Sequence, residues 1–226
     1  MSKGNNLQSL FYGILFCISV TALIIACLAF TKKGGGEYYI NNNLPCFTGG
    51  DGEWGEREVA DKHTHPDSSV LEIGGGEGSV TVIIQKKLNN PTNHVVIQPA
   101  DDGWHGIEKL RKNKKSCNGE FTIIDHILKP GEGKELLEMV SKPFDTIVVD
   151  CEGCLHKEFE KNPDLFKYVT QIQVERDDRE ISLTATGGPY EKLLKNDLGM
   201  KLVHTGKGCF GNCVTEVWEK NRDSSS

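Results

Sequence analysis

The chain has no N-x-[Ser/Thr] acceptor free of proline, so glycosylation signals assign it to no compartment. It also lacks an excess of positive charge: 26 Lys and Arg stand against 32 Asp and Glu. Residues 1–30 hold one lysine and no acid, which leaves a net of −7 on the remainder. A domain of that sign does not seek nucleic acid through backbone phosphates. Small molecules, sugars, lipids or proteins are the better substrates. Eight cysteines in 226 residues are too few for a disulfide-built miniprotein, because a chain of this length buries a core of its own. There are no internal repeats.

One long apolar run is present. Residues 10–30 carry no charge and are almost wholly apolar. A helix of that length crosses a bilayer core of about 30 Å. The run is unbroken and has no polar face, unlike a buried core helix at the edge of a soluble domain. A cleaved signal peptide has a shorter apolar region, about 7–15 residues, closed by small residues. Ala26-Cys27-Leu28-Ala29 is a poor cleavage or lipidation site. The expectation is a single-pass membrane anchor. Lys3 on one side and Lys32 and Lys33 on the other leave its orientation open.

The expected organisation is a short tail (1–9), the anchor (10–30), a linker and capping segment (31–67), an α/β domain (68–220) and a disordered tail (221–226). The capping segment is rich in Gly, Asn and charge, and ends with Trp54 and His63-x-His65. Alternating histidines of that kind bind metal in some proteins and are polar surface in more. From Ser68 a βα rhythm begins. Strands are expected at 70–73, 95–98, 121–125, 146–150 and 172–175, with helices at 80–88, 106–112, 133–140, 156–166 and 189–198. That alternation predicts a doubly wound, Rossmann-like, mostly parallel sheet. Residues 201–204 and 213–219 read as an antiparallel hairpin closing it.

Residues 71–78, Leu-Glu-Ile-Gly-Gly-Gly-Glu-Gly, place an acid before alternating glycines, between a strand and a helix. Glycine permits close backbone approach to a ligand, and a helix start favours a carboxylate or phosphate. The acid, Glu72, points to S-adenosylmethionine rather than a dinucleotide. Gly74, Gly76 and Gly78 are therefore expected to cradle the cofactor. In such sheets the ligand lies at the carboxyl ends of the strands. Strand 2 ends in Gln98-Pro99, where a carboxylate is expected to hold the ribose; Gln98 accepts a hydrogen bond but has no charge. Strand 3 ends in Asp125, placed for an adenine amino group. Strand 4 ends in Asp150-Cys151-Glu152-Gly153, and strand 5 in Glu175. Three carboxylates there suit a general base or a cation ligand set.

These stretches resemble the FkbM-type methyltransferases. The likeness runs from about Ser68 to Glu175, through the glycine loop, Val96-Ile97-Gln98-Pro99, the strand ending in D-x-E-G at 150–153, and Gln173-Val174-Glu175. It implies methyl transfer from S-adenosylmethionine to an oxygen on a sugar, glycan or other small acceptor, with Asp150, Glu152 and Glu175 as the catalytic edge and His156 in reserve. The chain departs from the family at Gly76 (usually Asn), Gln98 (usually Glu) and Leu155 (usually a second acid). The alternative is a tethered, non-catalytic methyltransferase-like binding domain. Cys151-x-x-Cys154 and Cys209-x-x-x-Cys213 together allow a four-thiolate zinc site, but Cys151 falls inside the strand-end motif, and no metal ligand is assigned.

Overall fold

The computed structural model describes residues 44–49, 53–100, 106–176, 189–208 and 213–220. The chain divides into two compact units, Met1–Leu44 and Pro45–Ser226, and the second carries the architecture below. Residues 10–30 lie outside the described residues; among those described, no helix is long and apolar enough to cross a membrane.

The order is α1 (Trp54–His63), β1 (Val70–Ile73), α2 (Ser79–Lys87), β2 (His94–Ile97), α3 (Gly106–Ser116), β3 (Thr122–Ile124), α4 (Gly133–Glu138), β4 (Thr146–Val149), α5 (Leu155–Lys161), β5 (Gln171–Glu175), α6 (Pro189–Lys192), β6 (Met200–Gly208) and β7 (Cys213–Lys220). The described strands form one sheet in the order β3-β2-β1-β4-β5-β7-β6. Strands β1 to β5 run parallel, and β7 pairs antiparallel with both β5 and β6. This is the expected Rossmann-like sheet with an antiparallel edge. Strand order reverses between β1 and β4, where open α/β sheets bind ligands. Pro163 ends α5 early and opens a short 3₁₀ turn, Pro163–Phe166, because proline cannot supply the helical N–H. Likewise the stretch after α6 continues as a single π-turn, Leu193–Asp197.

Register divides the side chains between two unequal faces. Leu71, Ile73, Ile147, Val149, Ile172 and Val174 point to one side and meet Leu136, Leu155, Tyr190 and Leu193 in the main apolar core. The opposite face receives the alternate positions: Glu72 and Val148 in register with Gln173, then Glu175 opposite Thr215. Helix α1 packs over this second face, against α2, β5, β6 and β7. The segment before α1 is fixed by the Cys46–Cys117 disulfide at the end of α3. Buried Asn113 reinforces it, accepting from the Thr48 N–H at 3.0 Å and donating to the Glu77 carbonyl at 2.8 Å.

His63 and His65 do not form a metal pair. His65 is exposed, while the His63 ring lies 4.9 Å from that of His204 on β6. The four-thiolate zinc reading is corrected as well: Cys151 and Cys154 are joined to each other, so neither offers a thiolate. Cys213 is also disulfide-bonded, and Cys209 lies outside the described residues.

Candidate cofactor cleft and its acid edge

A cleft of about 740 Å³ opens at the carboxyl ends of β1, β2 and β4. Its floor is the glycine loop. Gly74 and Gly78 take φ of 92° and 91°, and Gly76 takes 50°, values that disfavour any side chain with a Cβ. The three do different things. A Cβ on Gly74 would lie 1.5 Å from the Asp150 carbonyl oxygen, so that glycine lets the loop press on the end of β4. A Cβ on Gly76 would meet nothing nearer than Glu53 Oε1 at 3.5 Å, so that position faces open space. Gly78 caps α2.

Glu72, the motif acid, turns under the loop rather than into the cleft. Its carboxylate accepts from Thr81 Oγ1 at 2.9 Å and lies 2.9 Å from His94 Nε2. All three are buried. Glu72 thus clamps β1 to α2 and β2, and it acts on a ligand only through the loop it holds. Gln98 lines the cleft, but its Oε1 accepts the Gly76 N–H at 2.6 Å. Asp125 is not among the residues lining the cleft. Half-exposed, it pairs with Arg111 Nη2 at 2.7 Å. His156 is not on the cleft wall either, and its Nδ1 is buried without a hydrogen-bond partner among the described residues.

The three expected catalytic carboxylates separate into a pair and a single group. Asp150 and the buried Glu175 share a hydrogen bond. Burial first, and then the Glu175 charge, push the Asp150 carboxyl up to about 9. Glu152 stands apart, exposed on the cleft wall with φ of 54°. That left-handed backbone, continued by Gly153 at 89°, turns the chain back into α5. The Cys151–Cys154 disulfide closes this turn, and both cysteines line the cleft. Leu155, where the family has an acid, is fully buried in the core.

Two further acids come from α1 and its leading turn, which sequence reasoning left in the capping segment. Glu53 lines the cleft and accepts from the Ser79 hydroxyl at the start of α2; burial raises its carboxyl above the ordinary range. Glu56 is buried one turn later. Their i, i+3 spacing ahead of Val59-Ala60 is the signal that marks them as one inward face.

No family model and no curated protein sequence matches the chain. Solved structures do. An O-methyltransferase from Bacillus cereus in complex with SAH superposes with a TM-score of 0.54 at 15% identity, over 81% of this chain and 88% of that one. A Streptococcus pneumoniae protein assigned as a tRNA methyltransferase and solved with S-adenosyl-L-methionine gives 0.52 at 12%, over 75% and 74%. A Streptococcus agalactiae protein of the NADB-Rossmann superfamily gives 0.53 at 11%, over 76% and 70%. At these identities the likeness shows the fold alone, a Rossmann-like sheet shared with proteins solved with SAH or S-adenosyl-L-methionine.

Proposed function

We propose that this chain is a membrane-anchored, S-adenosylmethionine-dependent methyltransferase of FkbM type, directed to an oxygen of a sugar or other small acceptor. One observation carries the reading. The cleft lies where strand order reverses, over a glycine loop with an acid edge beside it. Gly76 and Gln98 would face the cofactor. Glu152 is the group assigned to take the acceptor's proton, because the Asp150–Glu175 pair already retains one. The sulfonium methyl is activated in the cofactor itself, so positioning and proton removal are what the protein must add. Asp125, held by Arg111, would need to leave that pair to reach an adenine.

Residues 10–30 would anchor the domain as a single-pass helix. The Cys46–Cys117 and Cys151–Cys154 disulfides support an oxidising compartment. That would place the domain on the non-cytosolic side, the choice that lysine counts leave open.

The rival, a non-catalytic binding domain, draws on Gln98, whose amide is engaged by the loop, and on Leu155. Glu152→Gln separates the two. The methyltransferase reading expects unchanged S-adenosylhomocysteine affinity and a fall in transfer of labelled methyl groups to a panel of sugars and alcohols by roughly 10²–10⁴, the worth of a positioned base. Cofactor binding without transfer to any acceptor favours the rival.

A further inference from the structure

A second, smaller cavity of about 30 Å³ lies beneath the cleft, between α1 and the polar face of the sheet. It has room for a water or an ion. Glu53 and Glu56 reach it from the α1 side, Asp150 from the end of β4, and Glu175 from β5. Carboxylates so placed repel one another, and a cation that displaces the proton held by the Asp150–Glu175 pair relieves this. Oxygens of Glu56 and Glu175 lie within 4.8 Å of each other and of Cys213 Sγ. Since Cys213 is disulfide-bonded, its sulfur is no thiolate, and the charged donors are all oxygens.

Two neutral oxygens point to a ligand independently of the acids. Gln173 Oε1 and Thr215 Oγ1 are buried, line the same cavity, and have no hydrogen-bond partner among the described residues. The Gln173 amide orientation is fixed from its other end: Nε2 donates to Thr64 Oγ1 at 3.1 Å and to Gln171 Oε1 at 2.8 Å. Flipping it would forfeit the bond to Gln171 Oε1, which can only accept. A buried acceptor left unsatisfied costs about 1–3 kcal/mol, and two around one cavity call for an occupant. Of the nearby cations among the described residues, Arg57 acts on Glu53 at the cavity's edge, and Arg176 pairs with Glu216 at 2.8 Å on the other side of the sheet.

We propose that this cavity binds one hard divalent cation of the Mg²⁺, Mn²⁺ or Ca²⁺ class, held by the carboxylates of Glu56 and Glu175 with Gln173 and Thr215 as neutral oxygen donors. All-oxygen donor sets select such ions over zinc or copper. The ion joins α1 to β5 and β7. Because Glu53, Gly74 and Asp150 line both spaces, it also sets the floor of the cleft. The site stands whether or not the cleft transfers methyl groups.

The test uses the full-length chain in detergent, stripped with EDTA, with free Mn²⁺ followed by electron paramagnetic resonance during titration. One Mn²⁺ per chain is expected, displaced by excess Mg²⁺ or Ca²⁺. Glu56→Gln should weaken binding at least tenfold with an unchanged circular dichroism spectrum. Thr215→Val, which keeps shape and removes one neutral oxygen, should weaken it several-fold and serves if Glu56→Gln does not fold. Absence of bound Mn²⁺ at about 1 mM, or equal binding by the folded variants, overturns the proposal. S-adenosylhomocysteine titrated into the same stripped protein tests the cleft separately, so either reading can fail alone.

Discussion

The backbone N–H of Gly76 donates to the side-chain oxygen of Gln98 at 2.6 Å, closing the glycine loop onto the end of β2. The position where a ribose-binding carboxylate is expected is thus occupied in holding the loop. Gln98→Glu keeps an oxygen for Gly76 and adds a charged one. Hydrogen bonds to charged groups contribute roughly 1.5–3 kcal/mol against about 1 for neutral ones. S-adenosylhomocysteine should therefore bind several-fold more tightly by calorimetry. Weaker binding would show that the loop depends on the amide.

Gly74 and Gly76 should respond oppositely to substitution. From the motif alone, Gly74→Val is expected to abolish cofactor binding in a folded domain. The structure changes that expectation, because any Cβ there collides with the Asp150 backbone. Gly74→Ala should lose the cooperative thermal transition. Gly76→Ala meets only the left-handed penalty of about 1–2 kcal/mol and should stay folded while losing affinity for S-adenosylhomocysteine. Circular dichroism beside calorimetry distinguishes the two.

The His63–His204 contact makes the packing of α1 on β6 sensitive to acid. Burial first, and then the neighbouring His204, hold His63 below the ordinary histidine range. The unfolded chain takes up that proton more readily, so stability declines as pH falls through the usual histidine value of about 6.5. His204→Gln should flatten the decline. Melting temperatures at about pH 7.5 and about pH 5.5 provide the comparison; identical slopes would remove His204 from the account.

The Cys46–Cys117 disulfide closes a long loop, with a sequence separation of 71. Cys117→Ser should cost about 2–4 kcal/mol, read as a lower denaturation midpoint. Alkylation of the full-length chain should leave Cys46, Cys117, Cys151 and Cys154 unlabelled until reductant is added. Labelling without reductant would return the domain to a reducing compartment.

The sheet was legible because its parallel strands are short runs rich in branched apolar residues, bounded by turns. Helix α1 was not, since its inward face includes Gly55, Glu56 and Arg57 beside Val59 and Ala60. Polar residues buried by tertiary packing leave no apolar period to read. Spacing marked Glu72 as part of the loop motif but could not say that it points to Thr81 and His94. Asp125 read as a cleft residue because it ends a strand; its partner Arg111 comes from α3, and strand position does not reveal a salt bridge. Strand position grouped Asp150, Glu152 and Glu175 at one edge, and of these Asp150 and Glu175 share a hydrogen bond. Their separation from Glu152 follows from the positive φ at Glu152, which residue type did not signal.

Calorimetric titration of S-adenosylhomocysteine into the full-length chain, beside the folded Gly76→Ala variant, addresses the cleft most directly. The account predicts one molecule bound per chain by the parent protein and a large loss of affinity in the variant. No binding by a parent protein that melts cooperatively, or equal binding by the two, would contradict it.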